Sequence, residues 1–293
     1  MDGLLADKKY QNFLSIKLLC ETVGKNAVNL ISISTGQQAI KDSKIVWILA
    51  RQHPVETTSS YMVEGIINYL LNLMMKARQE EDHFYDNYIF KIVPMVNPDG
   101  VIHGNTRAEL TGIDPNRVWK KPSKTVTPNI YTIKKHILKT KDETTLILDL
   151  HSHSKKLGCF FYGNYVSSDV KNYRMLPSRV CQDDIRFCYK NCRFRGGNEN
   201  SARKSLFSEL RIPNVFTVEC SLLGYIKENR INEYKIADYH EMGTKIISTF
   251  FEIEKEKYQP ISALPATYPN EETDFCDAQS ARSDSCVSED EYQ

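Results

Sequence analysis

IVWILARQHPVE, residues 45–56, runs from six apolar residues into Arg51 and Gln52, then into a histidine and a glutamate three residues apart. The apolar part is strand-length and rich in β-formers, so a buried strand is expected, with His53 and Glu56 in the turn just past its end. An α/β sheet places its chemistry beyond the carboxyl ends of its strands, and an imidazole and a carboxylate on one tight turn can face one zinc ion. Taken alone, the pair reads at least as well as a surface turn with a capping glutamate.

Outward from that turn, the pattern alternates between two periods. Residues 57–76 carry apolar side chains at helical spacing behind Thr57, Thr58 and Ser59 as available caps. Residues 27–34 alternate as a strand, and residues 7–23 carry a pattern read as a helix (Tyr10, Phe13, Leu14, Ile16, Leu18). Tyr88–Val96 is a further apolar strand that stops at Asn97-Pro98-Asp99-Gly100, a sequence made for a turn. A loop of about twenty residues follows, and loops of that length in compact domains usually serve function. A helix is expected over 129–139, a strand over 145–150 running into His151-Ser152-His153-Ser154, another over 159–163, and a strand over 214–218 that delivers Glu219. Residues 170–212 read as mixed helix and irregular chain, and an amphipathic helix over 237–254 closes the domain. Strands alternating with helices imply an α/β fold, a mixed, mainly parallel sheet with helices on both faces. The expected organisation is a catalytic domain over 1–258 and a disordered acidic tail over 259–293. That tail holds eight acids against one base, Arg282, too little apolar surface to offset chain entropy.

With 293 residues, 41% of them hydrophobic, the chain can build a substantial core. A net charge of +1 argues against generic nucleic-acid binding. No run approaches the roughly 18 apolar residues of a membrane span, and the first residues lack a signal-peptide pattern. A cytoplasmic protein is expected, and its eight cysteines should then be free thiols. Cys181, Cys188 and Cys192 match no usual zinc spacing.

Three separate strand ends thus deliver His53 with Glu56, His151, and Glu219. Two histidines and a carboxylate give a catalytic zinc three protein ligands, and hydrolysis then requires a further carboxylate as general base. The long loop adds Arg107, Asn116 and Arg117, planar donors suited to a carboxylate and to a developing oxyanion.

Six motifs occur in order: HPVET (53–57), NPDG (97–100), GNTR (104–107), GIDPNRVW (112–119), DLHSHS (149–154) and TVEC (217–220). Together they resemble the zinc metallocarboxypeptidases of the funnelin type, and within them the cytosolic carboxypeptidases, which trim glutamate from tubulin tails and other acidic C-termini. The resemblance runs from about residue 12 to residue 250. It implies one zinc held by His53, Glu56 and His151, Glu219 as general base, and Arg107 polarising the scissile carbonyl. Asn116 and Arg117 would clamp the substrate's terminal carboxylate. It further implies acidic peptide C-termini as partners, tubulin and microtubules among them, and a place on microtubules or cilia.

The chain departs from that subfamily at Val55 and Ser152, where glycine is usual, and each is expected to crowd the site slightly. Pro115 stands where the subfamily usually has leucine. In the subfamily a β-sandwich domain precedes the catalytic one, whereas here Met1 starts almost at the catalytic domain, as expected of either a minimal form or a fragment; the catalytic tyrosine of the digestive enzymes has no assignable position. His153, two residues from His151, is expected to hydrogen-bond near the site without binding metal. Two other functions remain: an aspartoacylase-type amidohydrolase acting on small N-acyl amino acids, and an inactive module that docks acidic tails. The intact NPDG and the Asn116-Arg117 pair favour a peptide C-terminus over the first, and retention of Glu219 argues against the second. The resemblance also places the pocket arginine for a terminal glutamate at Arg203, with Lys204 pointing away; the plainer alternative is a solvated basic pair at a helix start.

Overall fold

The computed structural model describes residues 8–36, 43–166 and 170–257. By its internal contacts the chain divides into two units, residues 1–251 and 252–293. The first holds the sheet and the site; of the second, residues 252–257 are described. The expected acidic tail over 259–293 lies outside the described residues.

A seven-stranded sheet organises the first unit in the order β1-β2-β4-β3-β5-β7-β6. Its strands are β1 (Leu14–Glu21), β2 (Ala27–Ile33), β3 (Lys44–Ala50), β4 (Tyr88–Val93), β5 (Thr144–His153), β6 (Cys159–Tyr162) and β7 (Val215–Ser221). The three central pairings, β4 with β3, β3 with β5 and β5 with β7, are parallel. The three outer pairings are antiparallel. β3 is buried along almost its whole length, as a central strand covered on both faces must be.

Helices α1 (Thr58–Gln79), α2 (Pro98–Ile102), α3 (Pro128–Lys139), α4 (Val170–Asp183), α5 (Ala202–Leu210) and α6 (Ile236–Glu256) complete the described regular structure with the hairpin β8 (Gly224–Lys227) and β9 (Arg230–Glu233). On one face, Ile130, Ile133 and Ile137 of α3 and Ala202 and Leu206 of α5 pack in one cluster with Ile45, Trp47, Leu49, Ile147 and Val215 of the strands. Each fully buried side chain of this kind stabilises the fold by roughly 1.5–3 kcal/mol before chain entropy is counted. Elsewhere, α1 and α6 cross so closely that a Cβ on Gly65 would lie 2.3 Å from the His240 carbonyl oxygen, and one on Gly243 2.3 Å from that of Met62. A side chain at either glycine would force the two helices apart.

The helix expected over 7–23 is not formed: within the described part a short 3-10 turn at Lys8–Tyr10 leads into β1. Ile16, Leu18, Leu19 and Cys20 satisfy a period of two about as well as one of 3.6, and pairing with β2 decides between them, with a bulge at Leu18/Cys20 absorbing the mismatch. What fixes the hairpin is Asp99 of the NPDG turn. Its carboxylate accepts bonds from the Thr22 hydroxyl, from Gly24 N at 2.9 Å and from Asn26 Nδ2 at 2.8 Å. β8 and β9 were not expected either. Their two-residue turn, Glu228-Asn229, has φ of 54° and 59°, the left-handed pair that a tight hairpin needs.

Candidate active site

Because β3, β5 and β7 run parallel, their carboxyl ends share one edge of the sheet. β5 continues three residues beyond the expected Leu150 and β7 three beyond Val218, so His151 and Glu219 lie within strands rather than after them. In the β5–β7 register His151 stands directly opposite Glu219. His53 and Glu56 sit in the turn after β3, held there by a bond from Val55 N to the Thr106 carbonyl at 3.2 Å.

His53, Glu56 and His151 converge in the interior. Their nearest ligand atoms all lie within 4.8 Å of one another, and all three residues are buried. The Glu56 carboxylate lies between the imidazoles, with Oε1 at 2.6 Å from His53 Nδ1 and Oε2 at 2.9 Å from His151 Nδ1. Both histidines therefore turn Nδ1 toward the carboxylate, and their Nε2 atoms are engaged on the other side. His53 Nε2 meets Asp114 Oδ1 at 3.1 Å and His151 Nε2 meets Asp149 Oδ2 at 2.9 Å. A carboxylate on the far nitrogen fixes the tautomer that leaves Nδ1 as the ligand atom, the usual support for a metal-binding histidine. The donor set of two imidazoles and one carboxylate is that of a catalytic zinc.

Asp114 and Asp149 are themselves held. Asp114 Oδ2 accepts from Arg107 Nε at 2.6 Å. Gln52 Nε2 lies 2.7 and 2.8 Å from the two oxygens of Asp149, and Gln52 Oε1 accepts from Trp119 Nε1 at 2.9 Å. Asp149, Gln52 and Asp114 are absent from the residues the sequence singles out. One signal was available: Asp149 is the single charge in the apolar run TLILDL, two residues before His151 and so on the same strand face.

Electrostatics follow from this packing. Burial raises the Glu56 carboxyl, but His151 and His53 outweigh it and hold the group well below the usual carboxylate range. For His151 burial opposes charge, yet Asp149 and Glu56 prevail and lift the imidazole well above its ordinary value. Asp114 is likewise pushed up by burial and held low by His53 and Arg107. Glu219 behaves oppositely. Burial, with Glu56 and Asp149 nearby, raises its carboxyl to about 8, and its Oε2 is buried with no hydrogen-bond partner.

Ser152 and Val55 do not crowd the cluster. Ser152 bonds through its hydroxyl to that of Thr58, while its backbone N donates to Glu56 Oε2 at 3.1 Å. The Val55 residue is 52% exposed. His153 accepts through Nδ1 from the backbone N of Lys155 and Lys156 at 3.1 and 3.0 Å, which makes it a turn-holding residue outside the metal cluster.

Of the remaining sequence-derived residues, Arg107, Asn116 and Arg117 lie between α2 and α3, and Arg203 lies in α5. Arg107 and Arg117 are partly exposed. Asn116 is buried and accepts through Oδ1 from Ala202 N at 2.8 Å, and Trp119 N donates to the Asn200 carbonyl at 2.9 Å. These two bonds zip the 116–119 loop to the start of α5, next to Arg203. The Arg203 guanidinium is buried and bonds to the Gly163 carbonyl, to Asn164 Oδ1 at 3.2 Å and to the Gly196 carbonyl at 3.3 Å. Arg203 is thus no solvated residue. Lys204 pairs with Glu199 at 3.2 Å.

A family profile described as zinc carboxypeptidase matches residues 5–205. The chain belongs to the zinc carboxypeptidase family. Similarity is strong to cytosolic carboxypeptidase 1 of Gallus gallus, at 32% identity over 257 residues covering 78% of the chain and 21% of that protein. Cytosolic carboxypeptidase 3 of Bos taurus is 34% identical over 257 residues, covering 83% of the chain and 25% of its own length. Cytosolic carboxypeptidase 6 of Caenorhabditis elegans is 39% identical over 172 residues, 57% of the chain and 36% of that protein. The chain therefore spans about a fifth to a third of the curated relatives it matches. The fold is shared with a metallo-carboxypeptidase from Burkholderia cenocepacia, at TM-score 0.73 and 21% identity over 86% of the chain and 67% of that structure. No helix among the described residues is long and apolar enough to cross a membrane.

Proposed function

We propose that this chain is a zinc-dependent metallocarboxypeptidase that removes C-terminal residues, glutamate foremost, from acidic protein tails such as polyglutamylated tubulin, in the cytoplasm and on microtubules or cilia. The observation that carries the reading is the buried His53–Glu56–His151 cluster facing, across the β5–β7 register, a carboxyl group at Glu219 with an unpartnered oxygen.

His53, Glu56 and His151 would hold the zinc, which supplies a Lewis acid able to polarise a carbonyl and to make water a nucleophile at neutral pH. Glu219 takes a proton from the attacking water and hands it to the leaving amine. Its carboxyl, raised by burial, is poised to exchange protons near neutrality. Arg107, positioned by Asp114, offers a guanidinium to the oxygen that becomes negative in the transition state. Asn116 and Arg117 bind the terminal carboxylate, a planar group that an amide and a guanidinium match well. Arg203 supplies positive charge in the wall that receives the terminal side chain. The names of the similar cytosolic carboxypeptidases support this reading.

The test is zinc analysis of the purified protein together with release of free amino acid from peptides ending in Glu, Lys or Phe. One zinc per chain and release from the Glu peptide are expected. A zinc-loaded protein that releases nothing from any of the three rejects the proposal.

A further inference from the structure

One face of α3 reads Ile130, Ile133, Lys134 and Ile137, the spacing of a core-facing helical stripe, and all four residues are buried. A lysine in such a stripe is costly unless its ammonium is hydrogen-bonded. Its Nζ donates to the Trp119 carbonyl at 2.7 Å, to the Lys120 carbonyl at 3.1 Å and to Ser205 Oγ on α5 at 3.5 Å. It also lies 2.6 Å from Glu209 Oε1, but Glu209 is exposed, so that pair contributes little by itself. The bonds to the two carbonyls are what the buried lysine adds.

Those carbonyls end a segment that is tied to the metal cluster on both sides. At its start, Asp114 Oδ1 meets His53 Nε2 at 3.1 Å. At its end, Trp119 Nε1 donates to Gln52 Oε1, and Gln52 bonds to Asp149, which holds His151. Asn116 and Arg117 lie between these anchors. Trp119 is gripped at three points: its N–H by the Asn200 carbonyl, its carbonyl by Lys134 and its indole by Gln52. Without Lys134 the third side of that grip is lost and the segment is free to shift away from α3.

We infer that Lys134 is a positioning residue: by holding the Trp119 and Lys120 carbonyls it sets where Asn116 and Arg117 stand, and so how tightly the substrate's terminal carboxylate is bound. This rests on the assignment of that carboxylate to Asn116 and Arg117 above. A planar carboxylate held by directed donors is sensitive to their displacement, and a shift of about 1 Å can cost about 10²-fold. A lysine that served stability alone would be replaceable by an apolar side chain, which suits the isoleucine stripe, with no loss of binding.

Binding separates the two roles without turnover. In zinc-loaded Glu219→Gln protein, fluorescence anisotropy is followed for two labelled peptides ending in Glu, one with a free terminal carboxylate and one with a terminal carboxamide. The acid should bind at least tenfold tighter than the amide. Adding Lys134→Met should weaken the acid at least tenfold and the amide less than twofold, with stoichiometric zinc and a melting temperature within a few degrees of the parent. Lys134→Arg, which keeps a buried donor for the carbonyls, should hold acid binding within about fivefold, and Glu209→Gln within about threefold. With Glu219 intact, Lys134→Met should raise KM at least tenfold and change kcat less than threefold. If Lys134→Met fails to fold, Lys134→Gln, which keeps a donor for one carbonyl, carries the same comparison with an intermediate loss confined to the acid. Acid binding unchanged in the Met variant, or equal loss for acid and amide, overturns the positioning role and leaves Lys134 a core residue. A parent protein that binds acid and amide equally overturns the assignment of the carboxylate to Asn116 and Arg117, and the role of Lys134 with it.

Discussion

Asp149 accepts a hydrogen bond from Nε2 of His151 at 2.9 Å, and both residues are buried on one strand, two positions apart. With Gln52 on the carboxylate and Trp119 on Gln52, the imidazole has one tautomer and one orientation, its Nδ1 facing Glu56. Replacing Asp149 by Asn keeps the shape and removes the charge that makes His151 a better ligand. Zinc affinity, measured by competition with a chelator, should fall about 10- to 100-fold. Affinity equal to wild type would reject the orienting role.

Glu219→Gln should keep stoichiometric zinc and the fold while turnover falls by about 10²- to 10⁴-fold, the usual contribution of a general base. The buried carboxyl makes no hydrogen bond through Oε2, so its replacement breaks none there. Turnover within a few-fold of wild type, with zinc bound, would leave the base elsewhere.

Glu109 gives a pH signature of its own. Burial raises its carboxyl to about 7, against a bond from Asn129 Nδ2 at 2.7 Å, with Asp99 and Asp114 adding to the rise. A folded value above the unfolded one means that the native state holds a proton the unfolded chain releases, so this contribution to stability is lost as pH rises from about 4.5 to about 7. Glu109→Gln should flatten that stretch of the stability–pH curve and stabilise the protein at pH 8 by about 1–3 kcal/mol, with little change near pH 4.5. Urea unfolding at several pH values reads it; parallel curves for variant and wild type would contradict it.

Arg203 and Lys204 separate cleanly. Arg203→Leu strands the Gly163 and Gly196 carbonyls and Asn164, so the melting temperature should drop, consistent with a loss of about 2–4 kcal/mol. If Arg203 also reads the substrate, the preference for a terminal Glu over Phe should fall at least tenfold in kcat/KM. Lys204→Leu loses only a partly exposed pair with Glu199 and should change neither quantity. A stable Arg203 variant that keeps the full preference would confine Arg203 to structure.

The sequence alone located the central strands, the helices α1, α3 and α6, and the strand ends that carry His53, Glu56, His151 and Glu219. Those features rest on local pattern: an all-apolar run reads as a buried strand or a buried helix, and a polar cluster marks where the run stops. Long-range pairing decided the rest. β1 reads as a helix until its partner β2 and the Asp99 anchor are in place, because its apolar residues fit both periods. Asp149, Gln52 and Trp119 lie far apart in the chain and act as one chain of hydrogen bonds only after β5 packs beside β3. Spacing can say which side chains share a strand face, but which residues of distant segments meet depends on register, and register is a property of the assembled sheet.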